Sequence, residues 1–331
     1  MGKKAIVTGG AGFIGSHLVR RLIENGFTVL NIDKLSYAGN IENLRDVKMN
    51  DRYQLLQHDI ADFPSMNQAI KDFRPNVIFH LAAESHVDRS IDSSDDFVHS
   101  NIVGTHSLLK AARNYFEAVK TADFKFIHVS TDEVYGSLDL QEAAFTEAST
   151  YYPNSPYSAS KAASDHLVRA WFETFNLPTI ITHCSNNYGP NQNEEKLIPR
   201  MISHALGNKK LPVYGNGKNV RDWLHVVDHC DGLIAAYSNG TSGEVYNYGG
   251  NTEIENIALV TKICEILDSL QPRPDGQSYM DQIDFVDDRM GHDFRYAINI
   301  EKARKQLHWK PTVNFNTGLV STIDWYLKEM G

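Results

Sequence analysis

Two carboxylates stand side by side where an apolar run ends. Asp132 and Glu133 follow Phe126–Ser130, with Thr131 just before them. Neighbouring carboxylates in a closed site can have different pKa values, because burial raises the pKa of the more buried group while the other group stays ionised. The first can then act as an acid and the second as a base. This segment predicts acid–base chemistry of the kind that removes water from a substrate.

A tyrosine and a lysine form a second reactive pair. Tyr157 and Lys161 begin a predicted helix after Pro153 and Pro156, and their i, i+4 spacing places both side chains on one face. A free phenol has a pKa of about 10 and is a poor base at neutral pH. A nearby ammonium and a bound nicotinamide cation would both favour the phenolate, so we expect them to shift the pKa of Tyr157 toward its working range.

A glycine-rich turn predicts a dinucleotide cofactor. Gly9, Gly12 and Gly15 follow the first predicted strand and open the first predicted helix. These glycines allow a tight turn and close approach to a pyrophosphate, while the helix N-terminus offers free N–H groups. Asp33 ends the second predicted strand, where its carboxylate can accept hydrogen bonds from the adenosine ribose and repel a 2′-phosphate. The sequence therefore predicts NAD rather than NADP.

The elements that must position these residues alternate between strand and helix. The predicted strands are Lys4–Thr8, Thr28–Asp33, Tyr53–Gln57, Val77–Ala82, Lys125–Ser130 and Thr179–Cys184. Helical patterns between them include Ile14–Glu24 and Met66–Phe73. Such alternation predicts an α/β fold, a Rossmann-type doubly wound parallel sheet whose strand ends converge on one ligand site. There we expect Asp59 and Ile60 to meet the adenine, and Leu81, Ala82 and Ala83 to lie along the cofactor.

The regular alternation of predicted strands and helices ends after Gly189-Pro190, where a polar loop and turn-rich stretches follow. We expect residues 1–189 to form the NAD-binding domain with the catalytic residues. Residues 190–331 are then mainly a smaller nucleotide-sugar-binding domain, with some chain crossing between the two.

Composition limits the possible partners. Lys and Arg number 32 against 41 Asp and Glu, a net charge of −9, which disfavours nucleic acid and anionic membranes. No apolar stretch approaches the ~20 residues of a membrane span. No signal peptide is evident, and the three scattered cysteines are typical of reduced intracellular thiols, so we expect a cytoplasmic protein. His80 and His86 lack an obvious third ligand, so no metal is expected.

With these motifs the chain resembles the extended short-chain dehydrogenase/reductase family, and within it the dTDP-glucose 4,6-dehydratases. The resemblance covers essentially the whole chain. Its motifs include Asp33–Asn40, Glu84–Ser90, Thr131–Gly136, Ser185–Pro190, Glu195–Pro199, Arg221–Trp223 and Asp288–Asp293.

The resemblance implies a reaction and a role for each candidate catalytic residue. dTDP-glucose would be converted to dTDP-4-keto-6-deoxyglucose and water, through transient oxidation at C4, elimination across C5 and C6, and hydride return to C6. Tyr157 would be the catalytic base with Lys161 as its partner. Thr131 would bond the sugar near O4, Asp132 would protonate the C6 hydroxyl, and Glu133 would take the C5 proton.

The binding residues follow from the turn, the strand ends and the resemblance together. For the cofactor they are Gly9, Gly12, Phe13, Ile14, Gly15, Asp33, Lys34, Ser36, Asp59, Ile60, Leu81, Ala82, Ala83, Ser100, Tyr157, Lys161 and Asn187. For the nucleotide sugar they are Ser85, Thr131, Asn186, Lys196, Leu197, Pro212, Tyr214, Arg221, Asn256, Arg289 and His292. Among the latter, Arg221 can bind phosphate through two hydrogen bonds and Lys196 as a point charge.

Other activities fit parts of the pattern. A UDP-glucose 4,6-dehydratase would carry the same doublet. A nucleotide-sugar 4-epimerase would use Tyr157 alone, and the related epimerases have small or apolar residues at positions 132 and 133. GDP-mannose dehydratases resemble the chain at Glu133 but have Ser before it. A non-enzymatic NAD-binding protein would be expected to have lost one of these groups, and all are present.

Two further expectations come from the family. The first is a homodimer through paired helices, Val98–Phe116 and Ala159–Phe175. The second concerns a departure, because Asn191-Gln192-Asn193-Glu194 stands where the family usually has an aromatic residue and a His-Phe-Pro run. That loop would lie beside the diphosphate site.

Overall fold

A computed structural model describes residues 2–120 and 123–330. Its strands are, in chain order, β1 (Lys4–Thr8), β2 (Thr28–Asp33), β3 (Tyr53–Gln57), β4 (Val77–His80), β5 (Lys125–Thr131), β6 (Thr179–Cys184), β7 (Asn186–Tyr188), β8 (Leu211–Tyr214), β9 (Val220–His225), β10 (Val245–Tyr248), β11 (Glu253–Glu255) and β12 (Ile283–Val286).

The helices connect these strands. The α-helices are α1 (Phe13–Glu24), α2 (Phe63–Phe73), α3 (Val87–Asp92), α4 (Asp95–Phe97), α5 (Thr105–Val119), α6 (Pro156–Phe175), α7 (Leu197–Leu206), α8 (Val226–Asn239), α9 (Asn256–Leu270) and α10 (Phe315–Met330). Short 3₁₀ segments span Ile41–Leu44, Asp132–Tyr135 and Tyr279–Gln282, and π-helical segments span Val98–Gly104 and Ala303–Leu307. Within the described residues, no helix has the length and hydropathy needed to span a bilayer.

A seven-stranded parallel sheet forms the centre of the described chain, in the order β10-β6-β5-β4-β1-β2-β3. Its two faces are covered by different helices. Ala5 and Val7 of β1 face one apolar cluster, which includes residues of α1 and α8, while Ile6 faces a second that includes residues of α2, α5 and α6. Burial on both faces explains the continuous apolar runs of the strands. The predicted doubly wound α/β fold is confirmed.

Some predicted boundaries shift by a few residues. The strand predicted over Val77–Ala82 ends at His80, because the chain then leaves the sheet and runs into the cleft at its edge. The strand predicted over Lys125–Ser130 continues to Thr131. The helix predicted from Met66 begins at Phe63, since the carboxylate of Asp62 accepts the Ser65 N–H and caps it.

The second half of the chain builds a separate apolar cluster. Helices α7, α9 and α10 pack there with β8 and β9, around Met201, Ile263 and Leu319. The smaller sheets lie in this half, in the orders β11-β9-β7 and β12-β8. However, α8 and β10 follow residue 190 in sequence and pack with the large sheet. The domain boundary near residue 189 therefore stays a prediction.

Candidate active site

One cleft gathers the carboxyl ends of the central parallel strands. The glycine turn after β1, Asp33 at the end of β2, Leu81 after β4, Thr131 at the end of β5 and Cys184 at the end of β6 all line it. Strand ends of an open α/β sheet meet at one edge because the strands run in the same direction. The sheet therefore places the two reactive pairs and the glycine turn around a common space.

The glycine turn leaves no room for side chains. Gly9 has φ +73°, and a Cβ there would lie 2.8 Å from the Ala82 backbone. At Gly15 a Cβ would lie 2.1 Å from the Gly9 carbonyl oxygen. Gly12 caps α1 without a side-chain hydrogen bond, so the first turn of this 12-residue helix presents its N–H groups to the cleft. These features fit a bound pyrophosphate.

The carboxylates of Asp33 and Glu84 lie at one side of the cleft, where they contact backbone N–H groups and Lys34. The two oxygens of the buried Asp33 carboxylate accept hydrogen bonds from the Ala11 and Leu35 N–H groups at 2.9 and 2.8 Å. Lys34 donates to Ser100 Oγ at 2.8 Å, and its Nζ lies 3.4 Å from a Glu84 carboxylate oxygen. The rim is therefore net acidic, which suits ribose hydroxyls better than an additional phosphate.

Tyr157 and Lys161 lie on the cleft face of α6, as their spacing predicts. Burial, followed by the negative charge of Glu133, raises the pKa of Tyr157 well above its ordinary value. The Lys161 ammonium donates to the Val129 carbonyl at 2.9 Å, and burial lowers the pKa of Lys161 itself while Asp165 opposes that change.

The two adjacent carboxylates occupy different environments. Asp132 is 2% exposed, and no described residue provides a hydrogen-bond partner for its Oδ2. Burial raises the pKa of Asp132 well above its ordinary value, and the charges of Glu133 and Asp222 add to this rise. A carboxyl whose pKa is raised in this way is the better candidate for the acid of the pair.

Glu133 is half-buried beside cations of the second half of the chain. Burial raises the pKa of Glu133, but the positive charges of Arg289, Lys196 and Arg221 oppose that rise. The backbone N–H of Glu133 donates a hydrogen bond to Thr131 Oγ1 at 3.3 Å. Glu133 is therefore the better candidate for the base of the pair.

All the predicted cofactor residues and all the predicted catalytic residues line this cleft. Of the predicted substrate residues, Ser85, Thr131, Asn186 and Lys196 also line it. The remaining substrate residues are outside its lining and lie on elements of the second half: Leu197 on α7, Pro212 and Tyr214 on β8, Arg221 on β9, Asn256 at the start of α9, and Arg289 and His292 in the segment after β12.

Several of the predicted substrate residues contact the first half of the chain. Arg289 Nη1 lies 3.4 Å from an Asp88 carboxylate oxygen, and the Tyr214 hydroxyl donates to the other at 3.3 Å. Lys196 donates to the Ser85 carbonyl at 2.8 Å. Buried polar atoms without a partner among the described residues remain at Arg289 Nε and Asn256 Oδ1. Unpartnered buried polar atoms are costly, so these suit a polar ligand.

The unusual loop at residues 191–194 reaches the cleft. Gln192 and Asn193 line it, and the Gln192 side-chain amide donates to the Asn187 carbonyl at 2.9 Å. The Tyr326 hydroxyl donates to the Gln192 carbonyl at 2.7 Å, which ties the loop to α10. Asn191 has φ +67°, a left-handed conformation that asparagine tolerates better than most residues.

Sequence reasoning assigned no role to ten other residues of the cleft. They are Ile32, Ala38, Gly39, His58, Glu84, Val129, Ser130, Cys184, Ser185 and Glu195. Glu84 and Ser185 stand in motifs that were noticed, next to residues that were assigned. Asp222 belongs to the noticed motif Arg221–Trp223 but was given no role, because its influence on Asp132 depends on the folding of β9 near that carboxyl. Both ring nitrogens of His80 have hydrogen-bond partners, the hydroxyls of Thr8 and Thr105, each at 2.8 Å.

The family model described as GDP-mannose 4,6 dehydratase matches residues 6–322. A dTDP-glucose 4,6-dehydratase of Neisseria meningitidis is 52% identical over 98% of this chain and 93% of that relative. One from Escherichia coli K12 is 51% identical over 98% of this chain and 93% of its own length. The chain belongs to the 4,6-dehydratase family. The match to this family member covers nearly the whole chain, and it includes both the cofactor residues and the substrate residues.

Solved structures of related enzymes have the same fold as this member of the 4,6-dehydratase family. The dTDP-glucose 4,6-dehydratase DesIV of Streptomyces venezuelae, solved with NAD bound, is 41% identical with a TM-score of 0.91, covering 99% of this chain and 98% of that one. A UDP-glucose 4-epimerase of Thermotoga maritima, solved with UDP-glucose, is 29% identical with a TM-score of 0.88, covering 99% and 100%. Because the fold is shared with an epimerase, the residues of the site must distinguish the reactions.

Proposed function

We propose that this chain is a dTDP-glucose 4,6-dehydratase, a carbon–oxygen lyase that uses NAD and releases water. The observation that supports it most is the pair Asp132 and Glu133, whose environments separate an acid from a base within reach of Tyr157 and Lys161. A 4-epimerase needs only the tyrosine. A second pair of acid and base groups is what an elimination requires in addition.

The cofactor site fits NAD, because Gly9, Gly12 and Gly15 form a cradle that a Cβ would fill and Asp33 borders a net acidic rim. When bound, NAD takes a hydride from the sugar and later returns it, and its oxidised ring favours the Tyr157 phenolate through its positive charge.

The chain's own residues divide the remaining work. Tyr157 accepts the proton of the C4 hydroxyl, and Thr131 bonds the sugar near O4. Glu133 then takes the proton from C5, which the neighbouring C4 ketone makes acidic. Asp132 gives its proton to the C6 hydroxyl, which leaves as water, and the electron pair of the broken C5–H bond forms the C5–C6 double bond. A proton then returns to C5 as the hydride removed from C4 returns to C6, and together they complete the 4-keto-6-deoxy sugar.

The nucleotide is placed by the second half of the chain. Lys196, Arg221 and Arg289 supply positive charge near Glu133, and we assign them to the diphosphate. Asn186, Asn256 and His292 complete its polar surroundings, while Pro212, Leu197 and Tyr214 pack against the base.

One assay tests the proposal. The chain is incubated with NAD⁺ and dTDP-glucose in deuterated water, and the product is examined for the alkali-developed absorbance of a 4-keto sugar and for deuterium at C5. We expect both. Formation of dTDP-galactose without a keto sugar would identify an epimerase, and preference for UDP-glucose would reassign the base. Absence of turnover with every nucleotide sugar would overturn the enzymatic proposal.

We also propose a homodimer through the region of α5 and α6, in the cytoplasm. Val98 and Val103 are 47% and 43% exposed, and they lie at the start of the predicted dimer helix. Exposed apolar side chains of this size on a helix are suited to a second copy. Light scattering after size-exclusion chromatography should give twice the chain mass of 37.3 kDa, and a monomeric mass would contradict the proposal.

A further inference from the structure

A buried carboxylate that the reaction does not use lies directly behind the site. Asp165 is on α6, one turn beyond Lys161, and its side chain is 1% exposed. Ser130 Oγ donates to Asp165 Oδ2 at 2.9 Å, and His183 Nε2 lies 3.1 Å from the same oxygen. His128 Nε2 lies 3.1 Å from Oδ1. The three partners come from β5 and β6, so one carboxylate joins a helix to two strands.

The contacts of Asp165 reach both ends of residues 130–135, here called the catalytic segment. Ser130 is its first residue and bonds the carboxylate directly. Tyr135 is its last residue, and its hydroxyl lies 2.8 Å from Nδ1 of His183, whose Nε2 faces Asp165. The Tyr135 hydroxyl donates to Asn247 Oδ1 at 3.1 Å, and the two ring nitrogens of His183 link Tyr135 to Asp165.

The charge of Asp165 is stable in this position. Burial alone would raise the pKa of Asp165, but the contacts with His128 and His183 outweigh burial and lower the pKa below its ordinary range. Burial and the charge of Lys161 lower the pKa of His128 to about 4, so that imidazole is neutral at pH 7. Asp165 is then the anion that opposes the effect of burial on the Lys161 ammonium.

We propose that Asp165 is a positioning residue, whose carboxylate holds both ends of the catalytic segment against the helix that carries Tyr157 and Lys161. The reaction needs an acid, a base and a phenol from two separate elements to meet one sugar ring. Displacement of such groups by about 1 Å can cost on the order of 100-fold in rate. The inference rests on the proposed dehydratase activity.

The test compares Asp165→Asn with Tyr135→Phe and with the double variant. For Asp165→Asn we expect kcat to fall about 100-fold, while KM and the affinity for NAD⁺ change little, because the hydrogen-bond partners Ser130, His128 and His183 are not among the residues assigned to the cofactor or the diphosphate. Tyr135→Phe removes one end of the connection and should lower kcat roughly 2- to 10-fold, the size expected for one hydrogen bond. The double variant should be no slower than Asp165→Asn, since both changes break one network.

Asp228→Asn is the matched control. Asp228 is equally buried, at 2% exposed, but its carboxylate accepts hydrogen bonds from Thr312 and Val313, which are not among the residues lining the cleft. Its substitution should change thermal stability without changing kcat. If Asp165→Asn fails to fold, Tyr135→Phe and Ser130→Ala carry the test. Wild-type kcat in those variants, or effects that multiply in the double variant, would overturn the inference.

A structural measurement keeps the inference separate from the proposed function. In a crystal structure of Asp165→Asn, or of Tyr135→Phe if the first does not fold, the catalytic segment should be displaced relative to α6. An unchanged segment would contradict the inference whatever the activity. A wild-type chain without dehydratase activity would contradict the proposed function, and the displacement would still decide whether Asp165 holds the segment.

Discussion

The site has a cofactor half, which lines the cleft, and a substrate half, which lies partly outside it, and the two are built in different ways. The cofactor half is made largely of backbone, since its glycine turn, the start of α1 and the strand ends are fixed by the sheet. The substrate half is made of long side chains that already have partners, such as Arg289 with Asp88 and Lys196 with the Ser85 carbonyl. A preformed half binds its ligand at little conformational cost, whereas the other half must exchange protein contacts for ligand contacts. The doublet Asp132 and Glu133 lies where the halves meet.

The largest expected effect is at that junction. Glu133→Gln removes the base at C5, and we expect the rate of water loss to fall about 10²- to 10⁴-fold, the usual contribution of a general base. Oxidation at C4 should persist, because it depends on the cofactor half and Tyr157. The measurements are product formation and the absorbance of the reduced cofactor. Glu265→Gln, on the exposed face of α9, is the control and should behave as wild type. Undiminished product formation by Glu133→Gln would refute the role given to Glu133.

Gly15→Ala tests whether the cofactor half is as rigid as its backbone contacts imply. The new Cβ would lie 2.1 Å from the Gly9 carbonyl oxygen, and backbone must move to relieve the overlap. Overpacking of this kind costs about 1–3 kcal/mol, so we expect NAD⁺ to bind roughly 10- to 100-fold more weakly. Titration calorimetry gives the Kd. Gly276→Ala is the control, because a Cβ there meets nothing within 4 Å and only its positive φ is strained. Unchanged NAD⁺ affinity in Gly15→Ala would show that the turn is adaptable.

The pH dependence of kcat tests the acid and the base together. Glu133 must be ionised, so activity falls as the pH drops below its pKa, which burial raises above the ordinary value. Asp132 must be protonated, so activity falls as the pH rises above its own pKa, which burial and Glu133 raise further. We expect a bell-shaped profile whose limbs change about tenfold per pH unit, with apparent pKa values that belong to the pair. In Asp132→Asn the alkaline limb assigned to the acid should disappear, and its persistence would assign that limb to another group.

The same difference between the two halves explains how much of the fold and of the site could be predicted from the sequence. Near-continuous apolar strands, the glycine turn and the Tyr157–Lys161 spacing are local signals, and they predict the sheet and the cofactor half because neighbouring residues in sequence do the work there. The outer residues Arg221, Arg289 and Tyr214 came from family resemblance, since their meeting depends on how distant segments fold together. Nothing in a local window indicates that Arg289 contacts Asp88, or that Asp222 influences Asp132.

Burial of the phenol is also missing from the sequence signal. The Tyr157–Lys161 spacing indicates an ammonium that, together with a bound nicotinamide cation, favours the phenolate, while burial and the charge of Glu133 raise the pKa of Tyr157 in the structure. Spacing alone shows which groups are neighbours, but desolvation depends on the layers of protein packed around them. The Lys161 ammonium is directed to a backbone carbonyl and is faced by Asp165, which no motif identified. Long-range burial is therefore the part of the site that sequence patterns leave out.

The smallest expected effect tests the claim that the substrate half is held by its own contacts. Asp88→Asn removes the charge that pairs with Arg289 at 3.4 Å. The two side chains are 21% and 34% exposed, so the pair contributes at most about 1 kcal/mol. Freed Arg289 should bind the diphosphate better, and we expect the Kd for dTDP to fall by a factor of up to about 5 at low salt, with a smaller gain at high salt. Asp92→Asn, on the same helix, is the control, since Asp92 makes no ion pair with Arg289 in the described part of the chain. Weaker dTDP binding by Asp88→Asn would mean that Asp88 orients Arg289 for the ligand, and the substrate half would then be as preorganised as the cofactor half.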